Sequence, residues 1–292
     1  MKRIGVLATL SIITTTFCFA DRGMMPFNPN VQIFEPVQRA MIAWNGTDEI
    51  LLLSTDVHAS ESTMVLEVLP LPAEPEVKKG DLETFRRATD LINWKIHRGG
   101  VSKGRVLSEG VVVPSGEVTF HKQIGAHDIS VTHLLNASGF VAWVVRYLQS
   151  IGIEEDIVSP AMNNLIEDYI KDGFEWFVFD VVSLGEDIVT NEPIQYCFKS
   201  DHLFYPLKIT STAQGSTSIE LLILTPRLLN RFPSLPIDRI HLKHDPVEIS
   251  QDELRGLNED MYSLLKGYDR MRLRIWEIVG DLEEFDADLL AR

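Results

Sequence analysis

The sequence predicts an α+β fold whose sheets are largely antiparallel. Two observations support this prediction. Runs of strand-forming residues follow one another as hairpins, and helix patterns come in small groups between these runs instead of alternating strictly with strands. After removal of the predicted leader of 20 residues, 272 of the 292 residues remain, which suffices for one large domain. We expect a single α+β domain over residues 21–292, with an internal seam, if there is one, at 114–116.

Residues 1–20 have the features of a secretory signal peptide. Lys2 and Arg3 form a positively charged start, Ile4–Phe17 is an apolar stretch, and small residues follow in a cleavage pattern. The apolar stretch is shorter than the roughly 20 residues that span a bilayer. We therefore expect an extracytoplasmic protein, periplasmic or secreted, that begins at Asp21 and has no membrane span after cleavage.

The two cysteines fit an exported chain without a disulfide. Cys18 lies in the leader, and a lipid anchor on it would need a small residue before it, where Phe17 stands. Cys197 is then the single cysteine of the mature chain, so no intramolecular disulfide can form. It lies in an apolar alternation that is typical of a half-buried strand.

The charge of the chain excludes some partners. The formal net charge is −15, and loss of Lys2 and Arg3 leaves 25 basic residues against 42 acidic ones, a charge of −17. A field of this sign repels phosphate backbones, so nucleic acid is not an expected partner. The sequence has no basic cluster that would favour binding to anionic lipid. The acidic residues are scattered, as on a solvated surface.

The first half of the mature chain is predicted to be rich in strands. Asn45-Gly46 separates two strand patterns and is a strong hairpin signal, because both residues tolerate positive φ. Pro70–Pro75 is expected to cross the surface as polyproline II, since proline cannot donate to a ladder. Asp81 is expected to cap a helix from Leu82 to His97. The predicted strands are 31–34, 38–44, 49–55, 64–69, 106–113, 117–124 and 127–134.

The second half is predicted to alternate groups of helices and strands. Ser138-Gly139 opens a helix over Phe140–Gln149, and Ser159-Pro160 opens another that ends near Lys171. A polar helix over 250–266 and a short acidic helix from Asp281 follow. The predicted strands are 174–183, 194–199, 205–212, 218–225, 237–243 and 271–279.

The segment Val118–Phe179 is predicted to be central to the fold. The helix Phe140–Gln149 has an apolar stripe that includes Val144 and Val145. Trp143 and Trp176 are expected to fill space between helices and sheet.

The sequence contains none of the common catalytic signatures. The motifs G-x-S-x-G, H-E-x-x-H, G-x-G-x-x-G and the P-loop are missing, and no histidine or carboxylate set has metal-ligand spacing. No metal or cofactor is therefore predicted. An enzyme would need polar groups from separate segments, and the candidates are His127, Asp128, Asp56 and His58.

Aromatic residues in glycine- and proline-rich surroundings indicate a recognition surface instead. The candidates for binding a ligand or partner are Phe27, Phe34, Trp44 and Trp94, each of which could equally belong to the core. The favoured function is a non-catalytic extracytoplasmic module that binds a protein or small molecule. The alternative is a hydrolase-like extracytoplasmic enzyme. The sequence does not predict the oligomeric state.

The order of several motifs also resembles a known family. Phe120–Val131, Tyr169–Phe179, Tyr205–Thr210 and the run through Leu69–Pro72 resemble domain-of-unknown-function family 2330 over nearly the whole mature chain. Members of that family are exported prokaryotic proteins. The resemblance implies export, and it implies no activity, substrate or site residue, because none is established for the family.

Overall fold

The computed structural model describes residues 22–28, 30–97, 121–153, 157–213 and 215–292. The predicted signal peptide at 1–20 and the predicted seam at 114–116 lie outside these ranges. In the described part of the chain, no helix is long and apolar enough to cross a membrane.

The described residues form the following helices and strands. The helices are α1 (Glu83–His97), α2 (Ala137–Ser150), α3 (Pro160–Lys171), α4 (Gln251–Leu257) and α5 (Glu259–Leu265). The strands are β1 (Gly23–Pro26), β2 (Ile33–Trp44), β3 (Asp48–Ala59), β4 (Thr63–Leu71), β5 (Glu76–Lys79), β6 (His121–Ile124), β7 (His127–His133), β8 (Trp176–Leu184), β9 (Val189–Thr190), β10 (Ile194–Lys199), β11 (Leu203–Tyr205), β12 (Ser216–Thr225), β13 (Ile240–Leu242), β14 (Val247–Ile249), β15 (Met271–Asp281) and β16 (Leu289–Ala291).

Two large sheets organise these strands. Sheet A has the order β1-β4-β8-β7-β6, and sheet B has the order β13-β15-β12-β2-β3-β10-β5, with β14 beside β15 and β9 beside β3. The described pairs are antiparallel except for β12 with β2. A short pair of β11 and β16 stands apart. The predicted α+β class with largely antiparallel sheets is confirmed.

The sheets and helices form four layers. One apolar cluster joins Leu69 and Val178 of sheet A to Leu51 and Leu221 of sheet B, so these two faces pack on each other. Helices α2 and α3 cover the other face of sheet A. Helices α1, α4 and α5 cover the other face of sheet B. Burial of each large apolar side chain contributes about 1.5–3 kcal/mol, so these three interfaces supply most of the driving force for folding.

The β2–β3 hairpin forms where the sequence predicts it. Gly46 has a φ of 110°, a region that favours glycine. The Asn45 side-chain oxygen accepts hydrogen bonds from the backbone N–H groups of Thr47 and Asp48, at 2.9 and 2.8 Å. These bonds fix a turn that later forms part of the candidate site.

The prediction for the proline-rich stretch is wrong at its start. Pro70 lies within β4 and is paired with Phe177 of β8, although β4 is an inner strand. Among the described strands, β1 reaches only to Val68 of β4, so the missing N–H of Pro70 interrupts no described ladder on that side.

Side-chain hydrogen bonds override two further predictions. The predicted strand 205–212 is instead a 3-10 helix over Lys208–Thr212, where the Thr210 hydroxyl donates to the Leu207 carbonyl at 2.7 Å. The predicted helix 250–266 is interrupted at Asn258, which has extended backbone. The Asn258 side chain accepts from the Met261 N–H and starts α5 as a new helix.

Helix α2 is confirmed, with a different cap. Asn136, and not Ser138, caps it, because the Asn136 side-chain oxygen accepts from the Gly139 N–H at 2.9 Å. Val144 faces the core and is 1% exposed, whereas Val145 is 40% exposed and does not belong to the buried stripe.

Candidate functional site

A buried cluster of charges lies between the two sheets. His127 is 1% exposed, and its Nδ1 lies 2.6 Å from Oδ2 of Asp180 on β8. Asp180 is directly opposite Glu67 of β4. The Arg22 guanidinium, just before β1, contacts Glu67 and lies 3.7 Å from Asp180. Four charged groups from distant parts of the chain therefore meet in the interior.

The cluster is close to neutral when His127 is protonated. Burial lowers the pKa of His127, but the hydrogen bond and charge of Asp180 and the charge of Glu67 raise it more, so the net pKa is raised. Protonated His127 and Arg22 then balance the two carboxylates. Such a set is costly to break, because loss of one member leaves a buried uncompensated charge.

The same cluster contains three side chains of metal-ligand type. The ligand atoms of Glu67, His127 and Asp180 all lie within 4.8 Å of one another. Sequence spacing could not reveal them, since they come from three strands. Arg22 and His127, however, already contact the carboxylates that an ion would use. We therefore interpret the cluster as internal ion pairs, closed off from a substrate.

The four catalytic candidates do not converge. His127 faces the space between the sheets, whereas Asp128 faces α2 and accepts a hydrogen bond from the Tyr147 hydroxyl at 2.9 Å. Asp56 and His58 lie on β3, on the face of sheet B that points away from sheet A. The structure thus distributes these residues over the space between the sheets, the outer face of sheet A and the outer face of sheet B.

The aromatic candidates have different surroundings. Phe27 is buried under α2 and α3, and Trp94 is half-buried on α1. The side chain of Phe34 lies outside the described part of the structure. Trp44 is 7% exposed and lines a cavity, so it is the member of this set that belongs to a concave site.

The cavity has a volume of about 380 Å³ and lies at the β2–β3 hairpin. Trp44 ends β2, residues 45–47 form the turn, and Thr225, the last residue of β12, lies beside it with residues 226–229. Tyr268 and Arg292 complete the wall. We name this cavity the hairpin pocket. It is built from five separate stretches of the chain, and the pairing of β2 with β12 brings two of them, 44–47 and 225–229, to the same end of sheet B.

Hydrogen bonds hold the aromatic walls of the hairpin pocket. The Trp44 indole N–H donates to the Ser200 carbonyl at 2.9 Å. The Tyr268 hydroxyl donates to the Asn45 carbonyl at 2.8 Å. Leu228 is an exposed apolar residue of the same wall. Because both aromatic polar atoms are engaged in the protein, their rings present mainly apolar surface to a ligand.

Arginines make the hairpin pocket positive within an acidic chain. Arg227 and Arg292 line it and are exposed, and within the part of the chain that the structure describes neither forms an ion pair. Asp201 is the acidic residue of the lining. Two arginine side chains therefore line the pocket against one aspartate, in a protein with a formal charge of −15.

A third arginine lies directly beneath the pocket. Arg274 of β15 is 0% exposed, and its Nη1 donates to the carbonyl of Leu229, a lining residue, and to Asn230 Oδ1 at 3.0 Å. Among the described residues, its Nε and Nη2 have no hydrogen-bond partner, and no carboxylate pairs with it. Burial lowers the pKa of Arg274 to about 10. It therefore stays protonated at neutral pH, as a buried charge that has no described carboxylate beside it and whose guanidinium carbon lies 5.9 Å from the centre of the Trp276 ring.

This arrangement suits an organic anion with an apolar part. The rings of Trp44 and Tyr268 offer contact area, and the guanidiniums offer charge-assisted hydrogen bonds. Sequence reasoning found Trp44 and missed Arg227, Arg274 and Arg292. The run after Pro226 contains Arg227 and Arg231 and is a signal for Arg227 alone, and no sequence pattern marks Arg274 or Arg292.

Comparison with known proteins finds only distant similarities to solved structures. No protein-family model and no curated protein matches the sequence, so the resemblance to family 2330 stays a prediction. Baculovirus P35 has a TM-score of 0.42 at 9% identity, with 92% of this chain and 99% of that chain covered. A mutated baculovirus P35 after caspase cleavage has a TM-score of 0.39 at 8% identity, covering 88% and 99%. P35 in a caspase-8/P35 complex has a TM-score of 0.37 at 7% identity, covering 88% and 95%.

Proposed function

We propose that this protein is an extracytoplasmic binding module whose hairpin pocket holds a small organic anion with an apolar or aromatic group. The observation that carries this proposal is the buried charge of Arg274 beneath a cavity lined by Arg227 and Arg292. A buried charge without a counter-charge is costly, and a bound anion would offset part of that cost. The cavity volume of about 380 Å³ lies within the range of small-molecule sites, roughly 300–1,000 Å³.

The pocket would recognise such a ligand through two kinds of contact. The apolar part packs against Trp44, Leu228 and Tyr268, where no polar atom of the ligand has to leave water. The carboxylate lies toward Arg227 and Arg292, which can each donate two hydrogen bonds. Arg274 does not line the pocket and acts on the anion through its field. Binding, and not turnover, is the role that these groups support.

The proposed location rests on the signal-peptide pattern of residues 1–20. N-terminal sequencing of exported material should give Asp21 as the first residue. A chain that retains Met1, or a lipid on Cys18, would contradict the proposed processing.

Binding can be tested with a charged probe and its neutral analogue. Phenylacetate and phenylacetamide have similar shapes and differ in charge. In a nitrogen-15 NMR titration, we expect phenylacetate to shift the indole N–H resonance of Trp44 and phenylacetamide to leave it nearly unchanged. The Trp44→Phe variant assigns that resonance. Added salt should weaken binding, because exposed charges are screened over about 10 Å at 0.1 M ionic strength.

Single-residue variants distinguish binding in the hairpin pocket from nonspecific attraction of the anion to any surface arginine. Arg227→Gln and Arg292→Gln should each weaken phenylacetate binding several-fold. Arg231→Gln is the matched control, since Arg231 is also exposed and does not line the pocket. Equal responses to both probes, or equal losses in all three variants, would show that the pocket is not an anion site.

A further inference from the structure

A second group of polar side chains lies on the outer face of sheet A, away from the hairpin pocket. Ser130 of β7 is directly opposite His121 of β6. The Ser130 hydroxyl lies 3.2 Å from His121 Nδ1, and His121 Nε2 lies 3.3 Å from Asp128 Oδ1. Asp128 and Ser130 are two positions apart on one strand, so both side chains point to the same face. A serine, a histidine and an aspartate are therefore connected in series.

The order of contacts suits a histidine that acts as a base. A carboxylate beside Nε2 favours the tautomer with its proton on that nitrogen, which leaves the lone pair on Nδ1. Nδ1 can then accept the proton of the Ser130 hydroxyl. The Tyr147 hydroxyl donates to the other Asp128 oxygen at 2.9 Å and holds the carboxylate in place. These are the roles that a nucleophile, its base and an orienting acid have in acyl transfer.

We propose that Ser130 is a nucleophile that cleaves small acyl esters, with His121 as its general base. The Ser130 oxygen bonds to the acyl carbon while its proton moves to His121 Nδ1. The bond from the acyl carbon to the leaving oxygen breaks, and that oxygen takes the proton from Nδ1. Water then attacks the acyl-serine, gives a proton to Nδ1, and releases the carboxylic acid as that proton returns to Ser130. Asp128 and Tyr147 are positioning residues.

The surroundings of Ser130 limit the substrate to small acyl groups. Ser130 is 7% exposed, whereas the side chain of His121 is 63% exposed, so the base is open to solvent and the nucleophile lies beneath it. Ser130 is also directly opposite Phe179, whose ring lies 4.4 Å from that of Trp143. An acetyl group fits this setting better than a bulky acyl chain. The activity corresponds to the hydrolase-like alternative and does not depend on the hairpin pocket.

The test uses p-nitrophenyl acetate with the full exported chain. We expect release of nitrophenolate above the buffer rate, together with a mass gain of one acetyl group that peptide mapping places on Ser130. Ser130→Ala should abolish both signals. His121→Ala should lower the rate by roughly 10²–10⁴-fold, the usual contribution of a general base. His121 is exposed, so this second variant should remain folded even if Ser130→Ala does not.

Ser183→Ala is the matched control. Ser183 is an exposed serine on the neighbouring strand β8, and no described base contacts it, so this variant should keep the wild-type rate. The proposal is overturned if the wild-type chain shows no hydrolysis above buffer, if Ser130→Ala or His121→Ala retains the wild-type rate, or if the acetyl group is found only on other residues. Positive and negative results here leave the phenylacetate titration unaffected, because the two sites lie on different sheets.

Discussion

Replacement of Arg22 by methionine tests the buried charge cluster most severely. Arg22→Met keeps much of the side-chain volume and removes the positive charge beside Glu67 and Asp180, which are each 2% exposed. Even with His127 protonated, the cluster then carries one uncompensated negative charge. Breaking a buried ion pair in this way costs about 3–5 kcal/mol. That is a large share of the roughly 5–15 kcal/mol by which native domains are stable.

The free energy of unfolding can be measured by urea titration with tryptophan fluorescence. Arg22→Met should lower the midpoint strongly, with little change in slope. The double variant Arg22→Met/Glu67→Gln should recover part of the loss, because it removes the carboxylate that lost its partner. Lys199→Met is the control: it breaks a surface ion pair with Asp48 and should leave the midpoint nearly unchanged.

A loss below about 1 kcal/mol for Arg22→Met would refute this reasoning, since it would place the cluster in the range of surface ion pairs. Strictly additive effects of the two substitutions would refute it as well. Either result would mean that Arg22 does not neutralise the buried carboxylates of Glu67 and Asp180.

Three further predictions concern the interior of the protein. The pKa of His127 is raised on folding, so the contribution of His127 to stability is fully present below the unfolded value of about 6.5 and is lost as the pH rises through the folded pKa. The urea midpoint should therefore fall over that pH range in the wild type and not in His127→Gln. Equal pH profiles of the two proteins would contradict this assignment. Val144→Ala should cost about 1–3 kcal/mol and Val145→Ala less, because Val144 is 1% and Val145 40% exposed; equal midpoints for wild type and Val144→Ala would mean that α2 does not dock as described. Chelator treatment should change the melting temperature by no more than about one degree, since Arg22 already contacts the carboxylates of the cluster; a large drop would reveal a structural ion.

Local signals explain why much of the fold could be predicted. Asn45-Gly46 determines its turn through the backbone freedom of Gly46 and the side-chain hydrogen bonds of Asn45, and Ser159-Pro160 starts α3 through a cap and a preset φ. Where the prediction was wrong, a side-chain hydrogen bond or the length of a neighbouring strand decided the outcome. Asn258 uses its side chain to start a new helix, and Pro70 is tolerated in β4 because of where β1 ends.

The sites could not be predicted in the same way, because their residues meet only through strand order. Glu67, His127 and Asp180 come together since β4, β8 and β7 are neighbours in sheet A. Ser130 and His121 face each other across a turn whose register the sequence does not give. A single sequence shows which residues could act and does not show which of them meet.

In the proposed function, Arg274 supplies a buried charge for an anion in the hairpin pocket. The most direct measurement is phenylacetate affinity and the urea midpoint of Arg274→Met, determined together. We expect weaker phenylacetate binding with at most a small change in the midpoint, because the removal of an uncompensated buried charge offsets the loss of the hydrogen bonds to Leu229 and Asn230. Unchanged phenylacetate affinity, whatever the midpoint, would contradict the proposed role of Arg274.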